Sequence, residues 1–149
     1  MKLLGFDYPD DLYYWLERDL WCRRLADGGV QVGVSAFGVH ISGDFYMARP
    51  KPVDTVLTQG QTLAVVELSK SVVAIKTPVS GTVREVNPVL EHTPEVIHQD
   101  PYGRGWLAIV QPSRWQHDLA LLHQGASLPE AATRRMRLEH LDFSGAQDA

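Results

Sequence analysis

Residues 60–81 constrain this chain more than any other stretch. Two apolar runs, Leu63-Ala64-Val65-Val66 ending on Glu67 and Val72-Val73-Ala74-Ile75, are separated by Leu68-Ser69-Lys70-Ser71. Short apolar runs joined by so few residues predict a tight β-hairpin. Lys70 then stands at the tip, with its long stem in water. Many hairpin tips are charged simply because they are solvated, so the lysine alone says little. Two features single it out: Glu67 lies three residues before it, and Pro78-Val79-Ser80-Gly81 closes the following strand. An exposed, lightly held amine on a rigid scaffold is what an acylating enzyme needs.

The same punctuated pattern extends over residues 20–112. Val30-Gln31-Val32-Gly33-Val34 alternates, placing three valines on one face, and Asp27-Gly28-Gly29 supplies a turn before it. Further strands are expected at 45–48, 63–67, 72–77, 82–86 and 106–110, separated by prolines, glycines and the turn Asp100-Pro101-Tyr102-Gly103. Many short strands of this kind predict a mainly β sandwich or flattened barrel, since stacking or closure disposes of sheet edges. Residues 1–19 read as a helical segment, with Asp10 as N-cap and Leu12, Tyr13, Trp15 and Leu16 as its apolar cluster. Residues 113–140 read as helices packed on the β domain, started by the capping-box pairs Ser113/Gln116 and Ser127/Glu130. Residues 141–149 read as a frayed tail.

Composition sets limits. The chain has 149 residues, 44% of them apolar, which suits one domain with a real core. A net charge of -4 without a basic run argues against nucleic acid. Cys22 is the single cysteine, so no internal disulfide is expected. The stretch Met1-Lys2-Leu3-Leu4 is too short for a secretory signal, and no membrane span is apparent. A cytoplasmic protein that does not engage a membrane is expected.

Several motifs together resemble the glycine-cleavage H proteins, lipoyl carriers of barrel-sandwich fold. They are Val32-Gly33-Val34-Ser35, Gly43-Asp44, Ala64-Val65-Val66-Glu67, Lys70, Pro78-Val79-Ser80-Gly81, Glu85-Val86-Asn87 and Asp100-Pro101-Tyr102-Gly103 with Gly105-Trp106. The resemblance covers residues 20–122. It implies a barrel-sandwich hybrid with flanking helices and lipoic acid in amide linkage on Lys70. It also implies a lipoate-attaching enzyme that recognises Glu67, Ser69 and Ser71. Biotin carriers flank their lysine with methionines, whereas Ser69 and Ser71 stand here. A loaded arm is expected to park in a groove built from residues 20–44.

Two departures stand out. The family's usual His-Glu-Trp segment is replaced by Asp19-Leu20-Trp21, and leucine cannot pair with an amine. The acid usually found four residues after the lysine is replaced by Ala74. The resemblance then extends to the lipoate-binding proteins of heterodisulfide-reductase-like sulfur oxidation. These would shuttle sulfur intermediates to a heterodisulfide-reductase-like complex or another lipoate-dependent oxidoreductase. The alternative is a glycine-cleavage H protein carrying an aminomethyl intermediate. A third reading, from another class, is an unmodified scaffold or interaction protein of the same fold.

Nothing points to an enzyme. His40, His92, His98, His117, His123 and His140 form no compact metal-ligand motif, and Cys22 reads as a core residue rather than a nucleophile. No catalytic and no metal-binding residue is expected, and the chain reads as a carrier that acts with partner enzymes.

Overall fold

The computed structural model describes residues 1–148, with side chains through residue 139. The chain opens with short strands β1 (Lys2–Leu3), β2 (Phe6–Asp7) and β3 (Tyr13–Trp15), followed by β4 (Leu20–Arg24) and β5 (Val30–Val34). Helix α1 (Ala36–Ser42) leads to β6 (Met47–Pro50), β7 (Val56–Leu57), β8 (Thr62–Glu67), β9 (Val72–Lys76) and β10 (Gly81–Val86). Helix α2 (Val96–Gln99), β11 (Ala108–Pro112), α3 (Trp115–Asp118) and α4 (Leu128–Asp148) complete it.

Among the described residues the strands form three sheets. A six-stranded one runs β3-β4-β5-β11-β10-β7, a three-stranded one β6-β8-β9, and β1 pairs with β2. This is the expected mainly β fold with flanking helices. The β4–β5 hairpin turns at Asp27-Gly28-Gly29, where Gly28 has φ +93 and the Gly29 N–H donates to Asp27 Oδ1 at 3.0 Å. Its register sets Cys22 opposite Val32, both wholly buried. These side chains meet Leu63, Val79, Val83 and Val110 in one core cluster. A second cluster gathers Leu20, Val34, Phe45, Val66 and Ile75. Each such side chain contributes about 1.5–3 kcal/mol on leaving water.

The N-terminal segment is not the expected helix. Leu12, Tyr14 and Leu16 all enter a third cluster, while Tyr13 packs against the first and Trp15 belongs to the second. The working period is therefore two, and β3 pairs with β4 and bridges to His123. Asp10 caps nothing; its carboxylate lies 3.3 Å from the Met1 amine.

Helix α1 went unread in the sequence. Ser35 caps it by accepting the Gly38 N–H at 3.1 Å, and Gly43 ends it with φ +79. The strand expected at 45–48 begins at Met47, and the one expected at 106–110 begins at Ala108. Neither capping box forms. The Ser113 N–H donates to Ser80 O, and Ser127 Oγ lies 3.2 Å from His123 Nδ1. Helix α4 is held instead by Leu128, Ala132 and Met136, a stripe of every fourth residue buried on Tyr8, Tyr14 and Trp21. The tail expected at 141–149 lies outside the described side chains.

The turn at residues 100–103 works as a structural rivet. Trp21 Nε1 donates to Pro101 O at 2.9 Å and Arg23 Nη2 to Tyr102 O at 3.0 Å. The Tyr102 hydroxyl donates to Asp7 O at 2.6 Å and accepts the Ala36 N–H at 3.0 Å. Burial pushes that phenol up to about 12.

Candidate functional site

Strands β8 and β9 form the expected hairpin, in the register Glu67↔Val72, Val66↔Val73 and Val65↔Ala74. The Leu68 N–H donates to Ser71 O at 2.8 Å, so only Ser69 and Lys70 lie outside the closing hydrogen bond. A loop this short holds its apex rigidly. Ala64 and Val66 anchor the inner face of β8, whereas Ser69, Lys70, Ser71 and Val72 are exposed. Among the described residues the Lys70 amine has no hydrogen bond and no ion pair. It is an uncommitted primary amine on a rigid tip.

Glu67 is exposed at the foot of this tip, and its carbonyl accepts the Tyr46 N–H at 2.9 Å. Tyr46 and Val72, 57% and 66% exposed, flank it with apolar surface. Glu67, Ser69 and Ser71 are therefore all exposed close to Lys70 in the chain. Tyr46 stands immediately before β6, a neighbour the sequence pattern did not reveal.

Beside the hairpin lies a groove of about 240 Å³. One wall is the turn carrying Glu17, Arg18, Asp19 and Leu20, and the other is β9 with Val73 and Ala74. Leu20, Val34, Gly38 and Ser42 come from the 20–44 region expected from the sequence, and Phe45 lines it from just beyond that region. Leu20, at 2% exposure, is an apolar part of the wall, and Ala74 is open to solvent. Neither supplies a charge.

The buried acid at the groove is Asp19, left-handed at φ 57. Gly38 lets it approach, since a Cβ there would stand 2.7 Å from Asp19 Cβ. Arg135 Nη2 lies 2.8 Å from Asp19 Oδ2. Burial raises the Asp19 carboxyl above the usual carboxylate range, and the hydrogen bond and charge of Arg135 oppose that rise. On the more exposed Arg135 the balance tips the other way. Its partners, Asp19 first, raise it against the effect of burial.

Cys22, His98 and His117 make structural contacts. Cys22 is fully buried, and burial pushes its thiol far above the ordinary value. His98 Nδ1 accepts the Phe45 N–H at 3.0 Å, and His117 Nδ1 lies 3.2 Å from Asp118. Among the described residues no three His, Cys, Asp or Glu side chains gather as a metal site. No described helix is long and apolar enough to cross a membrane. A covalent acyl arm on Lys70 suits what is present: a free amine on a rigid tip and a partly apolar groove beside it.

A family model described as glycine cleavage H-protein matches residues 12–132. The glycine cleavage system H protein of Mycobacterium tuberculosis is 40% identical over 105 residues, covering 70% of this chain and 78% of its own length. That of Mycobacterium avium is 43% identical over 107 residues, covering 72% and 80%. A crystal structure of a glycine cleavage system H protein from Mycobacterium marinum superposes with a TM-score of 0.66 at 32% identity. That match covers 71% of this chain and 87% of the other.

Proposed function

The chain belongs to the glycine cleavage H-protein family, whose members carry lipoic acid covalently on a lysine, and we propose that Lys70 is that lysine here. The observation that carries the reading is the exposed, unpaired Lys70 amine on a two-residue hairpin tip. Glu67, Ser69 and Ser71, exposed beside it, are the proposed contacts for a lipoate-attaching enzyme. Amide formation removes the lysine charge, so later partners must recognise other surface, such as Glu67, Tyr46 and Val72.

When bound, the dithiolane supplies thiol–disulfide exchange, which is the cofactor's own chemistry. The chain's residues present and shelter it. The hairpin keeps the arm's end at a raised local concentration near a docked enzyme. The groove between residues 17–20 and β9 offers shelter from water to a parked arm. The protein itself acts as a cytoplasmic carrier, without catalytic side chains of its own.

For the cargo, the relatives, which are glycine cleavage system H proteins, support glycine cleavage, with an aminomethyl group passed between its enzymes. A second reading is favoured by Leu20, buried where an amine-pairing acid is usual, and by the uncharged Ala74. In it the arm carries sulfur intermediates to a heterodisulfide-reductase-like complex.

Intact mass of the chain produced with its own attachment enzyme tests the site. One lipoyl group is expected on the wild type and none on Lys70→Arg; a lipoylated K70R chain overturns the assignment. Incubating the lipoylated protein with glycine decarboxylase and glycine then tests the cargo. Efficient methylamine loading supports glycine cleavage, and its absence with an active decarboxylase supports the sulfur reading.

A further inference from the structure

We infer that Arg135 is a positioning residue for the arm groove, which makes the C-terminal helix part of the carrier's site. The inference rests on Lys70 as the attachment point. Arg135 projects from α4 and reaches the turn that walls the groove at two points. Its Nη2 lies 2.8 Å from Asp19 Oδ2, and its Nε donates to Leu16 O at 3.2 Å. Its Nη1 donates to Glu139 at 3.0 Å, which orients the guanidinium from behind.

That turn needs an external tie. It is a single 3-10 turn, Leu16–Arg18, ended by Asp19 in a left-handed conformation that is uncommon outside glycine. Its next anchor is the Asp19 carbonyl, which accepts the Ser35 N–H at 2.8 Å. Arg135 spans the turn from a carbonyl at its start to a carboxylate at its end, as a planar fork does and a single ammonium does not. Glu17 and Arg18 lie between these two points and line the groove together with Asp19. Without the guanidinium, the Asp19 carboxylate is left almost buried and uncompensated, so it must take up a proton or the wall must move to hydrate it, and either change alters the groove.

The apolar anchoring of α4 is done by Leu128, Ala132 and Met136, in a cluster with Tyr8, Tyr14, Trp21 and Leu16 at the start of the turn, and Arg135 adds the polar tie to the Asp19 end that this cluster does not reach. The family match ends at residue 132, so Arg135 and Glu139 lie beyond it.

The test uses isotope-labelled, lipoylated wild type, R135Q, R135K and M136A, each first checked by intact mass. A wild-type chain left unmodified in the presence of its own attachment enzyme overturns the Lys70 reading, and this inference with it. The arm is studied oxidised, and reduced then capped with iodoacetamide or 2-bromoethylamine. Docking is read as amide shifts of Val34, Gly38 and Ala74 relative to the unlipoylated chain of the same variant. In wild type at least one arm form shifts these amides. In R135Q the shifts fall about threefold or more, and R135K is intermediate because charge returns without the fork. In M136A they persist although its thermal midpoint drops. Equal shifts in R135Q and wild type, an equal loss in M136A, or no shift with any arm form in wild type would each overturn the inference. If R135Q fails to fold, undiminished shifts in R135K overturn it.

Discussion

The backbone N–H of Ser80 donates to Asp118 Oδ2 at 2.6 Å, joining α3 to the turn that follows the lysine hairpin. The Asp118 side chain is wholly buried, and the Ser80 hydroxyl lies 3.4 Å from its other oxygen. Replacing Asp118 by Ala leaves the Ser80 N–H buried without a partner. A loss of about 3 kcal/mol is expected in urea unfolding, since such bonds to charged groups contribute most when one side is deleted. A loss under about 1 kcal/mol, in the range of an exposed contact, would show that the bond is not formed in solution.

Asp19 should leave a mark on the pH dependence of stability. Burial raises its folded-state pKa above the ordinary carboxylate value, against the pull of Arg135 and with Glu139 adding to the rise. The folded chain therefore holds this proton more tightly than the unfolded chain. The stability Asp19 contributes through that proton is complete below the ordinary value and is lost as pH rises through the elevated one. Asp19→Asn cannot titrate. The stability of wild type minus that of the Asn variant should fall as pH rises above about 4. A difference that rises over this interval contradicts the burial seen here.

Cys22 should be inert in the native protein. Its thiol is fully buried and pushed far above its ordinary value, so little thiolate exists at pH 8. Native alkylation by iodoacetamide, followed by mass, should be slower than in urea by about a hundredfold or more. Rapid native labelling would place Cys22 at the surface.

Gly33 should tolerate no side chain. A Cβ there would run into the Trp21 ring, which is pinned through Nε1 to Pro101 O and lies under Arg23 at 4.9 Å. Gly33→Ala is expected to cost about 1–3 kcal/mol by overpacking. Urea unfolding measures the cost, and altered near-ultraviolet circular dichroism would report the displaced indole. An unchanged midpoint and spectrum would mean that Trp21 is free to move.

The parts of the site that could be read in advance are the local ones. The Lys70 hairpin is encoded by two apolar runs and the few residues between them, because a tight turn is set by neighbours in sequence. The β4–β5 turn was legible at Asp27-Gly28-Gly29 for the same reason. Residues 12–16 misled because an aromatic cluster fits both periods. Tyr14 is a strand residue because β4 and His123 supply backbone partners from elsewhere in the chain. Helix α1 had a legible cap in Ser35, but its seven residues give too short a period to stand out.

The amino-acid order by itself determined where a reactive amine would be displayed, since that depends on a few adjacent residues and their preference for a bend. Only the tertiary structure decided what lies beside that amine. Asp19 and Arg135 are 116 positions apart, and Ser80 and Asp118 are 38 apart. No local preference records such pairs. They come together because burying the apolar faces of two sheets and α4 brings these elements side by side, and a buried carboxylate left unpaired costs too much to persist.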